Sequence, residues 1–208
     1  TVAGVTDANI LDNNIGFKQV VNAAGGMTVA DGRHFVLVGE NQSVVGDFEL
    51  IDGDLSIVRD GLVTLGTYGT QEATKGALHD VALDNGTLRV RHGDFTAENV
   101  TNNGTIYIGG DGAEHGGEIL REDTESSLTV DSYTAQSNSE LLNWGTFAVG
   151  NLTSAGQNSG SLTNYGVLDV GTANIDMLLT NLATAEFDSL TVAGGTLTNG
   201  EADAETNK

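Results

Sequence analysis

Apolar side chains recur two positions apart down the second half of the chain: Leu88 and Val90, Ile106 and Ile108, Phe147 and Val149, Leu168 and Val170. In an extended strand that spacing sends both members of a pair to one face. Arg89, Tyr107, Ala148 and Asp169 then point to the other face, so half-buried strands are predicted here. Each pair follows an Asn and a Gly, in Asn85-Gly86, Asn103-Gly104, Asn143-Trp144-Gly145 and Asn164-Tyr165-Gly166. The four glycines lie 18, 41 and 21 residues apart, which reads as one period of about 20 with one copy skipped or degenerate. A second echo, Phe95-Thr96-Ala97, Tyr133-Thr134-Ala135 and Leu152-Thr153-Ser154, is spaced by 38 and 19 residues. A unit this short holds two or three brief strands and cannot enclose a core alone, so it must stack on its neighbours. The expected fold is all-β, a right-handed parallel β-helix (β-solenoid) with coils of about 20 residues. Roughly ten such coils would build a rod about 50 Å long.

The boundaries follow from where this pattern weakens. Residues 1–26 are less regular, anchored by Ile10, Ile15, Phe17, Val20 and Val21, and suit an N-terminal cap over the open end of a solenoid. The solenoid is expected over 27–200, followed by a polar, frayed tail at 201–208. Two alternatives stay open. Ile175, Leu178, Leu179 and Leu182 are spaced as on a helix, although Leu179, Leu182, Phe187 and Leu190 equally fit inward positions of another coil. The Asn-Gly pairs also suit tight hairpins in an antiparallel sandwich or barrel, though hairpins do not demand a 20-residue period.

Composition favours the ladder. There are 29 Gly and no Pro in 208 residues, and a Pro would remove a backbone donor that a neighbouring coil needs. Gly and Asn supply the left-handed conformations of tight corners. The net charge is −21, and from Glu122 to Asn207 twelve acids occur without a Lys or Arg. Phosphate backbones and anionic lipid would be repelled along the rod, so neither nucleic acid nor membrane insertion is expected of this segment. No 18-residue apolar run and no basic-then-apolar leader occurs, from which a mature, soluble fragment is expected. The absence of Cys removes thiol chemistry and fits a protein that crosses an envelope before folding.

These coils, with their Asn and Thr content and no Cys or Pro, resemble the passenger region of bacterial autotransporter (type V secreted) adhesins. More loosely they resemble the filamentous-haemagglutinin group of exoproteins. The resemblance spans roughly residues 27 to 200 as a pattern. It implies an extracellular or cell-surface location. It also implies adhesion to a host glycan or matrix protein, or self-association between sister cells, through an extended face and without catalysis.

Enzyme motifs are approached in this chain but not completed. Gly156-Gln157-Asn158-Ser159-Gly160 misplaces the Ser for a nucleophile elbow and suits a corner loop. His34, His79, His92 and His115 lack zinc-motif spacing and are expected to be exposed strand or loop residues. Gly109-Gly110-Asp111-Gly112-Ala113-Glu114 approaches a calcium β-roll turn, making Asp111 and Glu114 the metal candidates, for calcium. Only one copy exists, whereas calcium takes six to eight oxygens, so a glycine-rich loop bulging between coils over 109–117 is expected instead. No other cofactor is expected. The alternative function is a β-helix polysaccharide lyase or hydrolase. Asp52/Asp54 or Glu122/Asp123/Glu125 could be its carboxylates, and Arg89, Arg91 and His92 form a small basic cluster. Eleven aromatics and few cations argue against it. A purely structural stalk is the third reading.

Overall fold

The computed structural model describes residues 21–22, 27–29, 34–37, 47–51, 55–66, 74–91, 93–110, 114–115, 118–119, 125–157 and 159–200. Over these residues the chain is all-β, without a helix, and winds into a parallel β-solenoid of about six turns. Every pairing in its main sheet is parallel and joins one coil to the next. From residue 93 onward each coil has three faces. The first is residues 94–97, 127–130, 146–149, 167–170 and 184–187. A bend of one residue leads to the second, at 99–102, 132–135, 151–154, 172–175 and 189–192. A corner then leads to the third, at 105–108, Glu140–Asn143, Ser161–Asn164, Leu178–Asn181 and Thr196–Asn199. The cap expected at 1–26 lies outside the described residues except for Val21–Asn22, which already pair in parallel with Leu50 and Ile51. The tail at 201–208 lies outside them as well.

Alternation within each strand turns every second side chain inward, and register stacks those side chains in columns. Phe95, Leu128, Phe147 and Leu168 form one column, and Val100, Tyr133, Leu152 and Ala173 another. Leu88, Ile106, Leu141, Leu162 and Leu179 form a third. All are buried and belong to one continuous core. The eight apolar residues of the Asn-Gly phrase are therefore all inside, but not in one set of columns. Leu88, Val90, Ile106 and Ile108 line the third face, whereas Phe147, Val149, Leu168 and Val170 line the first. Phe95 likewise leaves the second echo, in which Tyr133 and Leu152 do pair.

The 41-residue interval is accordingly no skipped copy. Phe95 pairs with Leu128 and Ile106 with Leu141, offsets of 33 and 35 residues, so a single coil is enlarged by an excursion after Ile108 that rejoins the ladder at Ser127. Residues Glu114–His115 and Glu118–Ile119 form a short antiparallel pair in that excursion. Early coils are long too, with Met27 paired to Leu55 and Val63 to Leu88. About six turns are seen over the described residues, where ten coils were expected of the full length, and the enlarged coils account for part of that difference.

The helix considered near residues 174–187 is absent. Strands end at Ile175, run over Leu178–Asn181 and resume at Thr184–Val192. Ile175, Met177 and Leu179 alternate inward, leaving Leu178 47% exposed, which a helical stripe would have buried. The hairpin alternative fails as well. Asn85 adopts φ 54°, yet the strand continues through it in parallel pairing, with a register shift between Asp84 and Thr87. At the corner before the first face, a Cβ on Gly166 would run into the carbonyl oxygen of Gly145 one coil below, which demands glycine there.

An amide ladder and a tyrosine are the polar features that bear most on the core. Buried Asn143, Asn164 and Asn181 stack at one corner and end on exposed Asn199, each Nδ2 donating to the next Oδ1 at 2.7 Å. The same column holds Val90 and Ile108 in the preceding coils, so the amide ladder starts on an aliphatic side chain. Asn143 Oδ1 consequently has no donor beneath it and is buried without a partner.

The other polar feature is Tyr133, whose hydroxyl accepts from Asn102 Nδ2 at 2.9 Å. Burial pushes the Tyr133 phenol far above its usual range, and the hydrogen bond with Asn102 offsets this only in part. An unfolded tyrosine ionises near pH 10, so above about that pH the unfolded chain releases a proton that the folded chain retains. Stability contributed by the neutral phenol is therefore intact below pH ~10 and is lost as pH rises beyond it. Thermal melts between pH 8 and 11.5 are expected to show this alkaline loss, and Tyr133→Phe to flatten it while lowering the melting temperature at neutral pH. An unchanged alkaline limb in that variant would refute the assignment.

Candidate functional site

With the apolar residues turned inward, each face presents two outward rows. On the second face one row reads Asp80, Asn99, Ser132, Asn151, Thr172, Ser189 and its neighbour Ala82, Thr101, Thr134, Thr153, Asn174, Thr191. From Asn99 onward every member is an uncharged hydroxyl or amide. Successive members are one strand spacing apart, ~4.8 Å, so a row of six extends ~24 Å. The first face, by contrast, carries Asp94, Asp169 and Glu186 outward, and the bend carries Glu98, Asp131 and Asp188. The third face mixes Arg89 and Glu140 with Leu142 and an exposed Leu178. In a chain of charge −21, a neutral hydrogen-bonding strip is distinctive.

Many of the exposed acids stack on donors. Asp80 accepts from Asn99 at 2.7 Å, Asp84 from Asn103 at 2.9 Å, Asp60 from Asn85 at 2.9 Å and Asp94 from Ser127 at 2.8 Å. Like charges directly opposite one another in a sheet are destabilising, and an amide or hydroxyl in the next coil avoids that. A groove of about 290 Å³ runs along the corner past Asp60, Asp84, Asn85, Asn103 and Asn138. Its polar groups are largely satisfied by one another, since the Asn138 backbone N–H also donates to Asn103 Oδ1.

An aromatic stack climbs the next corner. Trp144 lies parallel to Tyr165 at 5.2 Å and to Tyr107 at 6.5 Å, and the Arg89 guanidinium sits 6.0 Å from the Tyr107 ring centre. The Trp144 ring also rests on the backbone of Gly110, where a Cβ would come within 2.6 Å of it. Trp144 thus lies between two other rings, which suits it to stiffening this corner more than to receiving a sugar ring. Arg89, part of the basic cluster read from the sequence, is committed to this stack, and His92 lies outside the described residues.

The other candidates divide. Asp111 lies outside the described residues, as do Asp52, Asp54, Glu122 and Asp123. Glu114 is described only through its backbone pairing with Ile119. Ser159 is buried, its hydroxyl donating to Gly156 O at 2.6 Å, as a corner residue.

His79 was missed. At the bend between the first and second faces its Nε2 lies 3.2 Å from Glu98 Oε2 of the next coil, and its Nδ1 is 4.0 Å from Asp80 Oδ1. One ligand atom from each of the three falls within 4.8 Å of the others, a set that could hold a metal ion. Zinc-motif searches look within one strand or helix, and this cluster is closed by the coil period. Glu98 follows His79 by 19 residues, the same offset as Leu78 to its partner Ala97.

No family model matches the chain, and neither does any curated protein or solved structure.

Proposed function

We propose that this chain is a non-enzymatic adhesin or self-association module of a bacterial cell surface. Its second face binds a host glycan, a matrix protein or another copy of itself. The supporting observation is the neutral double row of Asn, Ser and Thr from Asn99 to Thr191, set in a chain otherwise rich in acids. Hydroxyls and amides both donate and accept, which suits sugars and peptide groups. One such hydrogen bond nets only about 1 kcal/mol. Micromolar affinity needs about 8 kcal/mol, so several rungs must engage together, which a rigid row spanning several coils permits.

Arrays of glycans and matrix proteins, with a cell-aggregation assay of the displayed domain, test this. Asn151→Glu combined with Asn174→Glu puts two charges on the exposed face without touching the core. Binding is expected to fall at least about tenfold, whereas Thr163→Glu on the third face leaves it unchanged. Undiminished binding in the double variant would remove the second face from the mechanism. Absence of any ligand and of any aggregation would favour a stalk.

A further inference from the structure

We propose that His79, Asp80 and Glu98 bind one divalent transition-metal ion, with zinc the best match to this ligand set. The three residues stand on adjacent strands whose backbones are locked in register on both sides of the bend, Leu78 with Ala97 and Asp80 with Asn99. Position is therefore set by the ladder rather than by flexible loops. The 3.2 Å between His79 Nε2 and Glu98 Oε2 is close to the edge of a tetrahedral zinc shell. Bonds of about 2.0–2.2 Å to nitrogen and oxygen place neighbouring ligands ~3.4 Å apart. The Asp80 carboxylate completes the set within 4.8 Å, and its Oδ1 accepts from Asn99 Nδ2 at 2.7 Å. A hydrogen-bonded carboxylate of this kind is how metal ligands are commonly held in place.

Ligand chemistry selects the ion. Calcium takes six to eight oxygens and gains little from imidazole, whereas one imidazole with two carboxylates suits zinc or a neighbouring transition metal. Two carboxylates also neutralise the ion, and a chain of charge −21 raises the local concentration of cations. All three side chains are partly exposed, so the fourth coordination position opens to solvent. That is the arrangement of a site that exchanges an outer ligand rather than of a closed structural one. The site lies beside the first rungs of the neutral rows, and it stands whether or not those rows bind a ligand.

Calorimetric titration of the whole chain with zinc chloride tests the proposal. One equivalent is expected to bind, with His79→Ala abolishing the saturable isotherm and Glu98→Gln weakening it at least about tenfold. Asp131→Asn, an acid at the same bend one coil on, is expected to have no effect. Glu98→Gln changes a single surface atom, so it remains informative even if His79→Ala lowers stability. Cobalt substituted for zinc should develop visible absorption bands of a nitrogen- and oxygen-ligated ion, lost in His79→Ala. A thousandfold excess of calcium should leave the bound zinc in place. Zinc uptake that is unsaturable, or that is the same in His79→Ala and in the unmodified chain, would overturn the site in favour of diffuse binding to surface acids.

Discussion

Ile106→Asp will unfold the solenoid at neutral pH. Ile106 is fully buried and stacks between Leu88 of the coil before and Leu141 of the coil after. Removing a buried aliphatic side chain of this size costs about 2–5 kcal/mol. The carboxylate adds a further penalty, because burying an unpaired charge is worth several kcal/mol even after relaxation. Together they come to about 5–10 kcal/mol, which consumes most or all of the stability of a domain in the lower half of the usual range of roughly 5–15 kcal/mol. The neighbours give no relief, since the column is aliphatic on both sides. Ile106→Val, which keeps the column and loses one methylene, is expected to cost only about 1 kcal/mol. Circular dichroism and limited proteolysis of both variants decide it. A cooperative melt of Ile106→Asp within a few degrees of the unmodified protein would show that this column is not what holds the coils together.

The inward position of Ile106 was legible in the sequence because two-residue alternation and a recurring period are both written in side-chain type. Leu88, Ile106, Phe147 and Leu168 were readable as inward residues from their spacing alone. Which of them stack together was not. The Asn-x-Gly of Gly145 and Gly166 and the Asn-Gly of Gly86 and Gly104 occupy different corners of the coil, and a corner constrains backbone shape without announcing its place in the turn. The excursion after Ile108 then lengthened one coil by nearly a period, so two unlike corners fell into apparent phase. Residues 174–187 show the same limit from another side. Ile175, Leu178, Leu179 and Leu182 satisfy a helical stripe on paper, and only the pairing of Leu178–Asn181 with both neighbouring coils decides that Leu178 faces out. The second face and the His79 cluster are properties of register. Asn99, Ser132 and Asn151 become one row, and His79 meets Glu98, only once the offset between coils is known residue by residue.

Register also sets the expected response of the amide ladder, where Asn164→Asp will be far more damaging than Asn164→Val. Asn164 is fully buried. Its Nδ2 faces three oxygens, donating to Asn181 Oδ1 at 2.7 Å, Thr184 O at 2.8 Å and Gly166 O at 3.2 Å. Its Oδ1 in turn accepts from Asn143 Nδ2 at 2.7 Å and from the Gly166 N–H, which fixes the direction of the ladder. Aspartate keeps the accepting atom and replaces the donor by a second carboxylate oxygen, so a buried anion would confront three acceptors. That loses the donations and adds an uncompensated charge, a penalty of several kcal/mol. Valine forfeits the same hydrogen bonds but introduces no charge, and the column already accommodates Val90 and Ile108 in the same position. Its neighbours retain other partners, Asn143 Nδ2 at Val167 O and Asn181 Oδ1 at the Ala183 N–H. The valine variant is therefore expected to lose about 1–3 kcal/mol. Urea titrations at pH 7 compare the two directly. The gap should narrow as pH falls far enough to protonate the new acid, because a neutral carboxyl regains one donor. If Asn164→Asp proves no less stable than Asn164→Val at pH 7, the amide nitrogens do not point up the column toward Asn199, and the ladder as the force aligning this corner is wrong.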